Sequence, residues 1–267
     1  MNILISGSSS YVGEEVLKNL NANFYCLINK NSKSQINLEN SNKFVISQMH
    51  KINKDIKFDY FFHFAGSSSK QYSVINNFYV SVLIPLKLLF YFKIDKVVFL
   101  DTYWHFLLNK QLNMYVIFKK INNLIFYTFS SKFNYKYMRI FMGDLYGEND
   151  SREKIDKYLI KNQNTDEIIL NSNSKTLIFP IHIKKFINFL NNLDRNFNFD
   201  KYSKFNFFGN GISLKDYVDI FLSTIQSKPK IIFKGKTSNK IMKSNLQLCL
   251  LPINYQKELS NHFNAEI

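Results

Sequence analysis

The chain has 267 residues, of which 46% are hydrophobic, so it is long enough for one large domain or for one domain with a small second lobe. Lys and Arg number 35 against 20 Asp and Glu, and the net charge of +15 indicates either a solvated lysine-rich surface or attraction for nucleotides, nucleotide sugars or an acidic membrane. Because no dense basic run with interleaved aromatics and no zinc-finger or RNA-binding signature is present, we do not expect nucleic acid as a partner.

The cysteines and the amino-terminal residues predict a reduced, cytoplasmic protein. Cys26 and Cys249 are far apart in apolar contexts and lack metal-ligand spacing, so no metal site is expected. The chain opens with a short apolar strand and a Gly/Ser turn, which is not the pattern of a signal peptide. The apolar run Val80–Phe92 contains Pro85 and Lys87 and is too short to span a bilayer, so we expect no transmembrane segment.

The first half of the chain alternates apolar strands with helices. The predicted strands are Ile3–Ile5, Phe24–Ile28, Tyr60–Phe64, Lys96–Leu100 and Tyr137–Phe141, and the predicted helices are Glu14–Leu20, Val80–Tyr91 and Met114–Phe129. Strands that alternate with helices indicate βαβ units and a parallel sheet. The pattern therefore predicts an α/β fold with a Rossmann-type, doubly wound parallel sheet.

The pattern loosens after about residue 147. The predicted elements there are helices at Ser151–Asn162, Ile183–Leu193 and Leu214–Ile225, and strands at Glu167–Leu170, Thr176–Phe179 and Phe205–Phe208. We predict a dinucleotide-binding domain over residues 1–147, with returning segments near 176–190, and a smaller α+β substrate lobe over 148–267. Because ligands of such folds bind outside the carboxyl ends of the strands, the site is expected at loops 6–13, 29–31, 65–70, 101–114 and 142–150.

A Gly/Ser turn joins the first strand to the first helix. Glycine lets the backbone approach a pyrophosphate, and the helix amino terminus supplies N–H donors. Gly7 and Gly13 fit the first and last positions of Gly-x-x-Gly-x-x-Gly, and Ser10 takes the middle one, which tightens the space near the phosphates. The predicted dinucleotide contacts in this turn are Gly7, Ser9, Ser10, Tyr11, Val12 and Gly13.

The end of the second strand bears on the choice of cofactor. A carboxylate there would bond the adenosine ribose and repel a 2′-phosphate. The sequence instead has Asn29 and Lys30, which we predict to contact the cofactor. The pattern favours NADP(H) and leaves NAD(H) open.

Tyr115 and Lys119 are four positions apart and so share one face of the helix predicted there. A phenol ordinarily keeps its proton until about pH 10, and a neighbouring ammonium lowers that pKa. The spacing alone is common on helix surfaces, so its weight depends on the rest of the chain.

The rest of the chain resembles the extended short-chain dehydrogenase/reductases of the nucleotide-sugar epimerase, dehydratase and reductase superfamily. The matching segments are ILISGSSSYVG, FDYFFHFAGSSS, VSVLIPLKLL, KVVFLDT, YVIFK, MRIFMGDLYGEND, FPIHI and FNFFGNGISLKDY, in the order of the family. The similarity is greatest to the branch of 4-keto-sugar reductases that includes CDP-abequose synthase. Its marks are the IPLKLL helix, the Asp-Thr-aromatic stretch and the short spacing from that threonine to the tyrosine.

The resemblance implies a role for each matching residue. Thr102 would bond the substrate oxygen, Tyr115 would act as acid and base, and Lys119 would lower the pKa of that tyrosine and hold the nicotinamide ribose. The strand-end loop of Phe64, Ala65 and Gly66 would lie beside the adenosine and pyrophosphate. The remaining implied contacts are Ser81, where relatives often have asparagine, with the cofactor, and Ser67, Ser68, Tyr103, Trp104 and Met142 with the sugar.

The resemblance leaves three reactions to choose from. Dehydratases carry Asp-Glu after the threonine, whereas Tyr103 and Trp104 stand here, so dehydration is disfavoured. We expect hydride transfer from NADPH to the 4-keto group of an NDP-4-keto-deoxyhexose, with Tyr115 as the proton donor. A 4-epimerase with tightly bound NAD and a non-catalytic nucleotide-binding protein are the alternatives.

Further expectations concern Trp104, Arg139 and the oligomeric state. Trp104 either packs in the core or forms a wall of the sugar pocket, and Arg139 more readily anchors a strand than binds phosphate. Relatives often form homodimers through a four-helix bundle, which the helices Val80–Tyr91 and Met114–Phe129 are apolar enough to build.

Overall fold

A computed structural model describes residues 1–28, 41–66, 73–107, 113–196, 201–236 and 253–266. The strands are β1 (Asn2–Ser6), β2 (Asn23–Ile28), β3 (Ser41–Val45), β4 (Lys57–His63), β5 (Lys93–Thr102), β6 (Lys136–Met142), β7 (Asp144–Tyr146), β8 (Glu167–Leu170), β9 (Leu177–Ile178), β10 (Pro180–His182), β11 (Tyr202–Phe207), β12 (Ile212–Ser213) and β13 (Lys230–Phe233). The α-helices are α1 (Tyr11–Asn19), α2 (Val74–Phe78), α3 (Ile84–Tyr91), α4 (Met114–Phe133), α5 (Ile155–Lys161), α6 (Ile183–Asn191), α7 (Leu193–Asn196), α8 (Leu214–Thr224) and α9 (Tyr255–Glu266). A π-helical turn (Tyr79–Leu83) joins α2 to α3, and 3₁₀ turns follow β3 (Ile46–Lys51) and β5 (Tyr103–Phe106).

Seven parallel strands form the central sheet, in the order β11-β6-β5-β4-β1-β2-β3. The order reverses between β1 and β4, so the chain leaves these neighbouring strands in opposite directions and opens a crevice at their carboxyl ends. The predicted fold class, an α/β fold with a doubly wound parallel sheet, is confirmed.

Helices cover both faces of this sheet and thus explain its largely apolar strands. One face packs against α1 and α6, with Val16 and Phe186 fully buried between them. The other packs against α3 and α4, where Leu88 and Phe126 are fully buried. A third cluster, around Phe221 and Phe263, joins α8 to α9 in the carboxyl-terminal region. The predicted domain boundary at residue 147 stays a prediction.

Several elements differ from the predicted ones. Phe205–Phe208 was assigned to the lobe, which is wrong, because Tyr202–Phe207 pairs in parallel with β6 as the edge strand of the central sheet. Sequence alone gave no prediction for β3, β13 or α9. The strand predicted at Thr176–Phe179 shrinks to a two-residue antiparallel pair with β12, and the charged helix predicted from Ser151 begins only at Ile155.

The helical segment Val74–Tyr91, formed by α2, the π turn and α3, is longer than predicted. By length and composition it is the one helix among the described residues that qualifies as a candidate membrane span, and 33% of it is buried. It connects β4 to β5, and Ile84, Leu88 and Leu89 pack into the core beneath the sheet. This position is that of a βαβ crossover helix.

Candidate active site

The glycine turn after β1 lies where the sequence predicts it. Gly7 has a φ of +83°, and a Cβ at this position would lie 2.6 Å from the backbone nitrogen of Ala65. A Cβ at Gly13 would lie 2.3 Å from the carbonyl oxygen of Gly7. Both glycines are therefore required for the close approach of the turn to β4 and to its own helix.

Ser10 explains how the turn works without its middle glycine. The hydroxyl of Ser10 accepts a hydrogen bond from the N–H of Gly13 at 3.1 Å and donates to the carbonyl of Gly7 at 2.7 Å. It is thus the N-cap of α1. The Ser10 side chain therefore occupies one of the N–H donors at the start of α1. The crowding expected near the phosphates stays a prediction.

Of the other predicted residues of this turn, Ser9 and Val12 line the cleft together with Tyr11. The side chain of Tyr11 is buried, and its hydroxyl donates to the carbonyl of Glu148 at 3.2 Å. The guanidinium of Arg152 lies 4.7 Å from the centre of the Tyr11 ring. Tyr11 therefore joins the glycine turn to the segment that follows β7.

Tyr115 and Lys119 both face this cleft from the first turns of α4. Asn113 caps the helix by accepting from the N–H of Tyr115 at 2.9 Å, which fixes where the tyrosine enters it. The Lys119 ammonium donates to the carbonyls of Leu100 at 2.7 Å and Ala65 at 3.3 Å. It lies 5.5 Å from the centre of the Tyr115 ring, so the predicted juxtaposition of the two side chains is present.

The electrostatics of this pair differ from the expectation. Burial, with a further contribution from the charge of Asp101, raises the pKa of Tyr115 above its usual value. Burial also lowers the pKa of Lys119 to about 8, although Asp101 opposes that shift. The predicted lowering of the Tyr115 pKa by Lys119 is therefore not found, because loss of hydration and the charge of Asp101 both raise that pKa. Tyr115 is held as the neutral phenol, which is the form that donates a proton.

Thr102 ends β5 and faces the cleft. Its hydroxyl oxygen accepts from the N–H of Trp104 at 3.2 Å, which leaves the hydroxyl proton to donate elsewhere. The Trp104 ring meets the Tyr115 ring edge-on, with 5.7 Å between centroids. Trp104 thus links Thr102 to Tyr115, and it both packs on the core and forms a wall of the cleft.

Tyr103 contributes its ring to the cleft, but its hydroxyl serves the fold. That hydroxyl donates to a carboxylate oxygen of Asp144 at 2.8 Å, and the ring packs on Phe179 with 4.8 Å between centroids. The same Asp144 oxygen accepts from the N–H of Phe179 at 3.0 Å. Met142, at the end of β6, is buried beside this group and offers the cleft an apolar surface.

The end of β4 brings Phe64, Ala65 and Gly66 into the cleft as predicted. Gly66 has a φ of +128°, and a Cβ there would lie 3.3 Å from the hydroxyl of Ser81 and 3.5 Å from both Lys119 Cε and Tyr115 Cε2. The glycine leaves room beside the Tyr115–Lys119 pair. Ser81 itself is buried and donates to the side-chain oxygen of Asn77 at 2.9 Å, so Asn77 lines the cleft one turn earlier.

Several lining residues escaped the sequence analysis, among them Asp101, Asn77, Asp144, Arg152 and Lys154. They border a cleft of about 920 Å³, near the upper end of the usual range of about 300–1,000 Å³ for ligand pockets. The lining includes the glycine turn as well as Arg152 and Lys154, which follow β7. Arg152 also pairs with Asp150 at 2.5 Å.

Four predicted contacts, Asn29, Lys30, Ser67 and Ser68, lie outside the described residues. Arg139 lies within β6, where it bonds Asp101. Within the described ranges, no group of three or more His, Cys, Asp and Glu side chains is arranged to hold a metal ion.

No family model matches the chain, and no curated protein matches it. Solved structures do match over nearly the full length. A UDP-N-acetylglucosamine 4-epimerase from Methanobrevibacter ruminantium, in complex with UDP-N-acetylmuramic acid, has a TM-score of 0.75 at 17% identity, covering 100% of this chain and 99% of the other. A UDP-glucuronic acid 4-epimerase from Bacillus cereus, in complex with UDP-glucuronic acid and NAD, has a TM-score of 0.75 at 15% identity over 99% and 98%. MoeE5, in complex with UDP-glucuronic acid and NAD, has a TM-score of 0.79 at 11% identity over 98% of each chain. At these identities the likeness establishes a common fold.

Proposed function

We propose that the chain is a nicotinamide-dependent oxidoreductase of nucleotide sugars and that it reduces the 4-keto group of an NDP-4-keto-deoxyhexose. The observation that carries this proposal is the meeting of Tyr115 and Lys119 with Gly7, Gly66 and Thr102 in one cleft. The similarity to structures named as nucleotide-sugar epimerases supports the substrate class. Membership of the 4-keto-sugar reductase branch, deoxysugar or polysaccharide biosynthesis as its setting and a cytoplasmic location are parts of the same proposal.

The residues of the cleft fit a nicotinamide dinucleotide. Gly7 brings the first turn against β4, and the amino terminus of α1 beside it directs N–H groups and a positive dipole at an anion. Gly66 leaves space next to Lys119 and Tyr115. Two features weaken the fit, since Ser10 occupies the N–H of Gly13 and the carboxylate-bearing Glu14 also lines the cleft. When bound, the cofactor would supply the hydride.

The protein supplies proton transfer and orientation. A substrate carbonyl oxygen beside Thr102 and Tyr115 would receive hydrogen bonds from both hydroxyls. As that oxygen gains negative charge, Tyr115 donates its proton, and the Lys119 cation stabilises the phenolate that remains. Trp104 closes one side of this corner, and its edge-on contact fixes the plane of the Tyr115 ring.

The experiment that tests this function measures the oxidation of NADPH or NADH by the purified protein in the presence of a panel of NDP-4-keto-6-deoxy sugars. Tyr115→Phe should lower turnover by about 10²–10⁴-fold while leaving dinucleotide binding nearly unchanged. Tyr127→Phe, which removes a hydroxyl from an exposed position on the same helix, is the control. Equal turnover of wild type and Tyr115→Phe would refute the role of Tyr115.

The principal alternative is an NDP-sugar 4-epimerase, which the names of the structural neighbours favour. In that case the purified protein would carry tightly bound NAD, interconvert NDP-sugar epimers and consume no NADPH. A failure to bind either dinucleotide would instead indicate a non-catalytic protein.

We propose NADP(H) as the preferred cofactor, although the neighbours' complexes contain NAD. The support is the sequence at the end of β2, which has Asn29 and Lys30 and no carboxylate. The test compares the dissociation constants of NADPH and NADH for wild type and Lys30→Gln. Lys30→Gln should weaken NADPH binding selectively.

We further propose a homodimer through a four-helix bundle. Exposed apolar side chains occur on both bundle helices, with Phe90 56% exposed on α3 and Leu124 64% exposed on α4. The helices are neighbours, because Asn122 of α4 donates to the carbonyl of Ser81 in the π turn at 2.6 Å. Sedimentation should show a dimer for wild type and a monomer for Leu124→Glu, whereas Tyr158→Glu, on an exposed site of the lobe, should stay dimeric. A monomeric wild type would refute the dimer.

A further inference from the structure

One buried carboxylate beside the proposed reactive corner is not used by the mechanism above. Asp101 is the second-last residue of β5, borders the cleft, and has a side chain with no exposed surface. An isolated carboxylate in such a place is strongly unfavourable, so its partners determine what it does.

Four donors surround Asp101. One carboxylate oxygen accepts from Arg139 Nε at 2.7 Å and lies 2.6 Å from Arg139 Nη2. The other accepts from the N–H of Thr102 at 2.7 Å and lies 2.8 Å from His105 Nε2. Asp101 therefore joins β6, the start of the turn at Thr102 and the 3₁₀ turn that contains His105.

Lys119 is a buried cation, and carbonyl groups are its hydrogen-bond partners. Its ammonium is almost completely buried, and its hydrogen bonds go to the carbonyl oxygens of Ala65 and Leu100. Carbonyl dipoles solvate a cation but do not neutralise it. Leu100 precedes Asp101 in β5, so the ammonium is anchored to the residue next to the buried carboxylate.

Within the described residues, the charged and titratable groups that interact with this pair come from several elements. They are Tyr115 and Lys119 on α4, His63 on β4, Asp101 on β5, His105 on the 3₁₀ turn, and Arg139 and Tyr137 on β6. Asp101 is the only carboxylate in this set, so a single anion is shared among several buried or half-buried cations and polar groups.

We propose that Asp101 is a positioning residue of this site: clamped by Arg139 and His105, it fixes the turn that begins at Thr102 and balances the buried ammonium of Lys119. This inference rests on the proposed function, in which Thr102 and Lys119 serve the proton donor. A purely structural ion pair between β5 and β6 would hold the strands together and have no effect on Lys119.

The balance has a measurable consequence. Burial lowers the pKa of Lys119 to about 8, and the charge of Asp101 opposes that shift. Burial likewise raises the pKa of Asp101, but the hydrogen bond and charge of His105, with Arg139 and Lys119, outweigh it and hold that pKa below its usual value. Asp101 thus remains ionised at neutral pH and keeps Lys119 protonated there. Removing its charge should let Lys119 lose its proton at lower pH.

The test is a carbon-13 NMR titration of full-length protein labelled at lysine Cε, in which Lys119→Met identifies the Lys119 signal. The wild-type midpoint is expected at about 8. In Asp101→Asn it should fall by about one pH unit or more, the usual effect of a nearby opposite charge. Asp144→Asn is the matched control, because Asp144 is a carboxylate of the same cleft, and its hydrogen-bond partners are Tyr103 and Phe179. A midpoint unchanged in Asp101→Asn, or lowered equally in Asp144→Asn, overturns the proposal.

Asp101→Asn leaves Arg139 without its carboxylate, so this variant is at risk of not folding. The double variant Asp101→Asn with Arg139→Gln no longer contains the unpaired guanidinium, and its Lys119 midpoint should also lie below that of wild type. An unchanged midpoint there overturns the proposal as well. The titration needs no turnover, so a protein that fails to oxidise NADPH but shows the shift refutes the proposed function alone. If turnover is found, the alkaline limb of its pH profile should move down in Asp101→Asn by the same amount as the midpoint.

Discussion

The structure predicts that burial of the Lys119 ammonium lowers the free energy of unfolding. The side chain is 2% exposed, and its pKa falls from 10.5 to about 8 on folding. Between these two values the unfolded chain binds more protons than the folded one, so the free energy of unfolding must rise with pH in this window. Lys119→Met removes the titration without greatly changing the length of the side chain.

The magnitude follows from the two pKa values. A shift from 10.5 to about 8 makes the buried ammonium cost about 3 kcal/mol at pH 7. By about pH 9.5 the folded protein has lost this proton, and the remaining cost is about 1.4 kcal/mol. The free energy of unfolding of wild type relative to Lys119→Met should therefore rise by about 2 kcal/mol between the two pH values. The carbonyls of Leu100 and Ala65 lose a donor in the variant, but that loss is the same at both.

Urea unfolding of both proteins at pH 7 and 9.5 measures this difference. Lys120→Met, at the next position on the exposed side of α4, is the control. Its ammonium stays in water in both states, so the substitution should change the free energy of unfolding by nearly the same amount at each pH. A wild-type to Lys119→Met difference that varies by less than about 0.5 kcal/mol would refute the burial of a charged amine, since about 2 kcal/mol is required.

Two further predictions concern the glycine turn and the lobe. Ser10→Ala should lower the free energy of unfolding by about 1 kcal/mol and Ser10→Gly by only a few tenths. Ser10→Gly should also tighten dinucleotide binding, because the N–H of Gly13 is released. Urea unfolding measures the stability and calorimetric titration the binding, and equal destabilisation by the two variants would exclude the cap. Burial opposes ionisation of Asp156, but the hydrogen bond from His262 at 3.3 Å outweighs it and lowers the pKa below 3.8. The stabilisation that ionised Asp156 contributes is present above pH 3.8 and is lost as the pH falls through the pKa of Asp156 in the folded protein. The free energy of unfolding should therefore fall less between pH 5 and pH 3 in Asp156→Asn than in wild type. The control is Asp219→Asn, at an exposed position, which should show the same fall as wild type.

The central sheet was largely predictable because its strands are buried on both faces and read as apolar runs. The ends were less predictable: β5 extends over Lys93–Thr102, beyond the predicted Lys96–Leu100, because polar residues occupy both ends of the strand. β3 offers few apolar residues and, among the described strands, pairs with β2 alone. β11 was assigned to the wrong part of the fold, because a short apolar strand carries no information about which sheet it joins.

The site was predictable where the signal is local. Tyr115 and Lys119 are one helical turn apart, and the glycine turn directly follows a strand, so both patterns survive in the sequence. Asp101 and Arg139 were missed as a pair, although each places a charge inside an apolar strand, in KVVFLDT and MRIFM. Two such strands that are neighbours in a parallel sheet predict an ion pair between them, and this signal was present but unused.

The features that make this cleft chemically interesting are also those that destabilise the fold. Lys119 and Asp101 are charges buried beneath it, and Gly7 and Gly66 hold left-handed backbone where a side chain would collide or crowd. A protein that served only as a scaffold would gain stability by replacing Lys119 with an apolar residue. Within the described residues the hydrogen bonds of the ammonium go to the carbonyl oxygens of Ala65 and Leu100, and an apolar side chain could pack in its place. The presence of the buried Lys119 ammonium beside the neutral phenol of Tyr115 and the glycines Gly7 and Gly66 therefore favours a catalytic function over a purely structural one. The Lys119→Met experiment bears directly on that choice, since it measures how much stability the site gives up.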